Sequence, residues 1–293
     1  MAESLLSPDF LSRLEQLELA TRKVLVGRLK GDRRSKRKGS SVEFADHRPY
    51  VMGDDLRFID WNVMIRLDKL FLKLFEEEED LHVHILVDSS KSMDFGDPKK
   101  LDYAKKIAAA LAFVGLRNND RVAVSAFGGD LLTPLPAVRG RHLFFRVQEY
   151  LGRIEPADDT DLTKTCKSFA LKAPGRGIAV LISDLMDKNG FEVALRYLLA
   201  KHMEIYVIHI LAKEEIDPPL VGDLQLVDCE DHDRADVTIS APLLKRYKAN
   251  LDAFCAQARD FCVRRGIVYL FSDNQTPFET LVLRWLRDKG LLR

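Results

Sequence analysis

Asp88, Ser90 and Ser92 stand at alternate positions in the segment Asp88-Ser89-Ser90-Lys91-Ser92-Met93. A carboxylate and two hydroxyls at that spacing bring three oxygens to one side of a loop. A hard cation such as Mg²⁺ takes oxygen ligands at about 2.0–2.1 Å in an octahedron, and it keeps waters or accepts a partner's oxygen for the remainder. The chemistry on offer is therefore divalent-cation binding. Two further segments extend the set. Ser183-Asp184 brings a second carboxylate, and Asp158-Asp159-Thr160-Asp161 brings a hydroxyl from Thr160, with Thr163 and Thr165 close by. Ser and Asp also favour caps and turns, so a lone Asp-x-Ser-x-Ser is open to a purely structural reading.

Strand ends must hold those oxygens, and the chain supplies an alternating pattern. Residues 81–88 (LHVHILVD), 120–127 (DRVAVSAF), 177–184 (GIAVLISD), 204–211 (EIYVIHIL) and 267–272 (IVYLFS) read as strands. Residues 99–116 read as an Ala-rich helix with Ala104, Ile107, Ala108, Leu111 and Val114 at helical spacing. Further helices are expected over 141–154, 162–172, 190–201, 241–265 and 276–289. Pro134 and Pro136 limit 130–138 to a short edge strand or loop, and 222–240 reads as a polar hairpin. The runs IAVLIS and IYVIHIL are apolar throughout, as strands covered on both faces must be. The expected fold class is α/β, with a doubly wound, mainly parallel sheet. Ligands in such sheets gather beyond the carboxyl ends of the strands, where Asp88 and Asp184 fall.

Upstream of residue 81 the pattern is less regular. Residues 8–30 read as a helix through Leu11, Leu14, Leu17, Leu19 and Val24, with Asp9 at its start. A basic loop follows, Arg33–Lys38, between Gly31 and Gly39. Residues 42–62 are expected to be irregular with short strands. Residues 67–77 read as a strand, because Leu70, Leu72 and Leu74 alternate with Phe71, Lys73 and Phe75. The expected division is 1–80, packed on the main domain, and 81–293, with the boundary near the acidic run at 76–81.

Composition narrows the functional classes. Lys+Arg and Asp+Glu both number 45, so formal net charge is +0, and nothing global favours nucleic acid or an anionic membrane. Cys166, Cys229, Cys255 and Cys262 form no Cys-x-x-Cys pair, so reduced thiols are expected. The first twenty residues lack a basic region followed by an apolar run, no stretch is apolar enough to span a membrane, and a cytoplasmic location is expected. No phosphate-binding Gly-x-x-x-x-Gly-Lys-Ser/Thr, Gly-x-Ser-x-Gly or His-Glu-x-x-His occurs. His82 and His84 share one strand face but sit at its start, away from the carboxyl end.

The arrangement of Asp88, Ser90, Ser92, Thr160 and Asp184 resembles the metal-ion-dependent adhesion site of von Willebrand factor A domains. The resemblance implies one cation, Mg²⁺ with Mn²⁺ or Ca²⁺ as alternatives. A second signature covers Gly39 to Arg66: Glu43-Phe44, then Arg48-Pro49-Tyr50-Val51-Met52-Gly53-Asp54-Asp55-Leu56-Arg57-Phe58-Ile59-Asp60-Trp61, then Arg66. This string resembles a bacterial family classed as domain of unknown function fifty-eight, in which it precedes a von Willebrand A-like domain. That resemblance implies a non-enzymatic, protein-binding accessory of a MoxR-type AAA+ ATPase or its client. From the residues themselves, Asp54, Asp55, Arg57, Asp60 and Arg66 are expected to pair and hold irregular backbone, anchored by Phe58, Ile59 and Trp61. Two other readings stay open: a metal-dependent hydrolase with Asp158, Asp159 or Asp161 as base, and nucleic-acid binding through Arg33–Lys38.

Overall fold

Continuous apolar segments make a central sheet, and amphipathic ones cover it. The computed structural model describes residues 5–17, 19, 42–77, 81–128, 134–157, 161–173, 176–227, 234–288 and 290–292. In chain order the elements are α1 (Pro8–Leu14), β1 (Val42–Pro49), α2 (Trp61–Leu67), β2 (Phe71–Glu77), β3 (His82–Asp88), α3 (Lys100–Arg117), β4 (Arg121–Phe127) and β5 (Leu135–Val138). They continue with α4 (Phe144–Gly152), α5 (Leu162–Lys172), β6 (Arg176–Ser183), α6 (Phe191–Leu199), β7 (His202–Leu211) and α7 (Lys213–Ile216). The last are β8 (Gly222–Val227), β9 (Arg234–Ile239), α8 (Ala241–Arg264), β10 (Val268–Asp273) and a final helical segment, α9, over 278–288.

The chain divides into two compact units: Met1–Arg22 with Leu81–Arg293, and Lys23–Asp80. The division cuts the segment grouped from sequence as 1–80, because the buried Leu6, Phe10 and Leu14 belong to the same core cluster as α3.

In the first unit six strands run in the order β10-β7-β6-β3-β4-β5. All neighbours are parallel except β4 and β5 at the edge. Order reverses between β3 and β6, which is the switch point of a doubly wound sheet. Successive side chains of β3 alternate between faces. Ile85 and Val87 join a core with α1, α3, α4 and α9, while Leu86 joins a second core with α5, α6 and α8. Fifteen of the eighteen residues of α3 are buried, so this helix lies inside the protein; its alanines permit close approach to neighbours on several sides. The antiparallel pair β8 and β9 forms the expected polar hairpin.

Several expectations change in detail. The helix read over 8–30 ends at Leu14, and its cap is Ser7, whose Oγ accepts from Phe10 N at 3.3 Å, rather than Asp9. Glu15 and Gln16 form a turn, after which Leu17 is buried and Leu19 pairs with Leu292. These leucines mimic helical spacing while packing from non-helical backbone. Residues 20–30 and the basic loop 33–38 lie outside the described residues. The final helix contains a π-helical stretch, Leu281–Trp285.

The second unit is built on antiparallel β1 and β2, with a register shift between Phe44 and Asp46. Here β1 spans eight residues, longer than the short strands expected over 42–62. Cys166 and Cys262 are buried and Cys255 half-buried, all as free thiols. No helix among the described residues is long and apolar enough to cross a membrane.

Candidate metal centre

Asp88 ends β3, and its neighbour Ser89 locks the loop that follows. Ser89 N and Oγ both donate to Phe127 O, at 2.7 and 3.0 Å, and Ser89 O accepts from Ala157 N at 2.7 Å. Gly128 lets this approach happen: a Cβ there would stand 2.7 Å from Ala157 Cβ and 2.9 Å from Ser89 Oγ. The backbone then turns through a 3₁₀ segment, Lys91–Asp94, with Ser90 at its cap position and Met93 buried beneath.

This turn gathers the predicted oxygens. Asp88 Oδ1 accepts from Ser90 N at 3.0 Å, and Asp88 Oδ2 from Ser183 Oγ at 2.5 Å. Ser92 Oγ donates to Asp184 Oδ2 at 2.8 Å and lies 3.0 Å from Ser90 Oγ. A hydroxyl has one proton, and Ser92 gives its own to Asp184, while the Ser90 hydroxyl also bonds to the Asp88 carboxylate. Each hydroxyl keeps lone-pair capacity. Asp184 Oδ1 accepts from Met186 N at 3.1 Å. Asp88, Ser90, Ser92 and Asp184 are thus assembled at the switch point. Thr160, with Asp158 and Asp159, lies outside the described residues.

Sequence reasoning missed four participants. Lys100, in the first turn of α3, is fully buried and donates to Asp184 Oδ2 at 2.9 Å and to Glu215 Oε1 at 2.6 Å. Ser183 orients Asp88. Asp187 fixes the start of α5 by accepting from Leu162 N at 2.6 Å. The first two have weak local signals: Lys100 reads as an ordinary helix-opening lysine, and Glu215 as part of an acidic first turn. Their partners are 84 and 115 residues away. Asp161, one of the hydrolytic bases considered, instead caps α5 by accepting from Lys164 N at 2.7 Å.

The electrostatics follow from burial. Desolvation, together with the charge of Asp184, pushes the Asp88 carboxyl up to about 7. Burial would raise Asp184 as well, but the Lys100 ammonium, with the hydrogen bonds from Met186 N and Ser92 Oγ, holds that carboxyl below its ordinary value. Glu215 is raised by burial against the pull of Lys100. Asp184 and Glu215 therefore share one ammonium.

The donor set suits a hard divalent cation: two carboxylates and two hydroxyls, all oxygen, with excess negative charge. A cavity of about 10 Å³, lined in part by Asp88, Ser90, Ser183, Asp184 and Asp187, matches one water-sized occupant. Among the described residues no group of three or more His, Cys, Asp or Glu gathers into a metal-binding cluster.

The signature residues lie in the second unit. Arg48 forms a two-pronged pair with Asp54, at 2.8 and 2.7 Å, and Asp54 also accepts from Val51 N at 2.9 Å. This closes the turn in which Gly53 adopts φ +107°. Tyr50 N donates to Leu70 O at 2.9 Å. Asp55 pairs locally with Arg57. Asp60 caps α2 through Asn62 N and Val63 N and accepts from His47 Nε2 at 3.0 Å. Arg66 is exposed on α2, with no ion-pair partner among the described residues, so it does not join the expected network. Ile59 is buried, but Phe58 is at the edge of exposure and Trp61 is 57% exposed. Trp61 is therefore no core anchor, and α2 as a whole buries none of its residues.

The chain is similar to several known proteins. A Mycobacterium bovis relative, "Uncharacterized protein Mb1516", is 30% identical over 228 residues, covering 76% of this chain and 72% of its own. The crystal structure of the conserved hypothetical protein BatB from Bacteroides thetaiotaomicron is 17% identical with a TM-score of 0.46, covering 72% of this chain and 98% of that one. The SpRpn10 VWA domain matches with a TM-score of 0.37 and 12% identity, covering 70% and 94%. The family model described as "Protein of unknown function DUF58" matches residues 46–253, and the chain belongs to that family.

Proposed function

We propose that this protein is a cation-dependent protein-interaction module, with Asp88, Ser90, Ser92, Thr160 and Asp184 holding one Mg²⁺. The observation that carries the reading is the meeting of the Asp88 loop and Asp184 around a cavity sized for one small occupant. When bound, the cation supplies a Lewis-acidic position open to a carboxylate of a partner protein. The chain's own residues orient that position: Ser183 fixes Asp88, Asp184 fixes Ser92, and Lys100 fixes Asp184. A protein partner is also favoured by the apolar side chains of the signature segment, where Met52 and Ile65 are 95% and 82% exposed. The partner in this reading is a MoxR-type AAA+ ATPase or its client.

Affinity capture with the tagged protein, in Mg²⁺ and in EDTA, tests the proposal. The expected result is one dominant partner, retained in Mg²⁺ and lost both in EDTA and with Asp88→Ala, while the circular dichroism of the variant stays native. Capture that survives both treatments would sink the idea.

A further inference from the structure

A buried ammonium beside a cation site is an electrostatic conflict, because two positive charges compete for one set of carboxylates. Lys100 creates that conflict here. Its side chain is fully buried, and its Nζ lies 2.9 Å from Asp184 Oδ2, the oxygen that also accepts from Ser92 Oγ. It also lies 2.6 Å from Glu215 Oε1. Glu215 is held in turn: its Oε2 accepts from Ala212 N at 2.7 Å, and its backbone carbonyl accepts from Tyr247 Oη on α8 at 2.8 Å. The ammonium thus bridges the metal centre to α7.

We infer that Lys100 is a resident counter-cation that sets the divalent affinity of the centre, with Glu215 governing how much of its charge falls on Asp184. The inference rests on the cation reading above. Lys100 compensates Asp184 in the metal-free protein, so the site stays folded when empty. The same charge weakens the pull on a second cation, making binding reversible. Glu215 draws part of the ammonium's charge away from Asp184 and adds negative charge of its own, which strengthens that pull. The two residues therefore act in opposite directions on affinity, although each is half of one salt bridge. A merely structural bridge would give two variants that lose stability together and leave the affinity alone.

Calorimetric titration of the full chain with Mg²⁺, paired with melting curves in EDTA, separates these cases. Lys100→Met should bind Mg²⁺ about tenfold more tightly or better, melt lower in EDTA, and gain more from added Mg²⁺ than the wild type does. Glu215→Gln should bind Mg²⁺ about tenfold more weakly. Should Lys100→Met fold only with Mg²⁺ present, that rescue itself supports the inference, and Glu215→Gln still decides it. Wild-type binding with both variants unmoved, or moved in the same direction, overturns the role of Lys100 and leaves the cation reading intact. No Mg²⁺ binding by the wild type overturns both.

Discussion

Single side chains here carry opposite demands of burial and charge. His84 lies at the start of β3, its ring stacked on His82 at 6.3 Å and edge-on to Phe169 at 5.1 Å. Desolvation, aided by the charge of His82, lowers it from 6.5 to about 4. As pH falls the unfolded chain takes up this proton first, so stability contributed by neutral His84 is lost between about 6.5 and 4. Replacing it with leucine should flatten that part of the acid response, seen as a smaller shift of the urea midpoint between pH 7 and pH 5. An equal shift in the variant would assign the response elsewhere. Asp60 also loses its contribution on acidification, for a different reason. The hydrogen bond from His47 leads the causes that lower its carboxyl to about 2, so its contribution is present above the ordinary carboxylate range and vanishes as pH falls through 2. Asp60→Ala should speed amide exchange at Asn62 and Val63 by roughly fivefold, through loss of the α2 cap.

Elements were legible where hydrophobic period and length agreed. The strands at 82–88, 121–127 and 202–211 and the helix at 100–117 follow from apolar runs and a 3.6-residue repeat. Non-local packing was not legible. Leu17 and Leu19 were read into a helix but pack from other backbone, and Trp61, read as an anchor, lies exposed on a helix that buries none of its residues. The oxygens of the candidate site were legible because strand ends mark ligand sites. Lys100 was not, because its partners come from the loop after β6 and from α7. One glycine shows how tightly the strands are registered. A Cβ on Gly177, at φ +141°, would stand 2.1 Å from His82 O, just before the first β3–β6 pair, Val83 with Ile178. Gly177→Ala should cost more than about 2 kcal/mol, through steric conflict with backbone that cannot move aside. Chemical denaturation checks this, and a loss below half that figure would show that the strand end yields.

For the molecule as a whole, binding adds to folding. If the centre takes Mg²⁺, the ion stabilises only the folded state, by about 2.7 kcal/mol at a free concentration one hundred times Kd. The melting temperature should rise with Mg²⁺, fall back with EDTA, and stay flat in Asp88→Ala. A variant that still responds would place the bound ion elsewhere. Membership of the DUF58 family now rests on a match across residues 46–253, which joins the signature of one unit to the strand-end oxygens of the other.

Helix α1 belongs to the same compact unit as β3, although residues 23–80 lie between them in the chain. Topologically, the second unit is an insertion, and docking α1 against α3 closes a loop around it. The entropy cost of closing a loop rises with the length of free chain in it. A folded insert shortens that free length, and an unfolded one restores it. Mutations that melt the β1–β2 pair should therefore loosen α1 as well, a linkage through chain entropy that requires no contact between the two units.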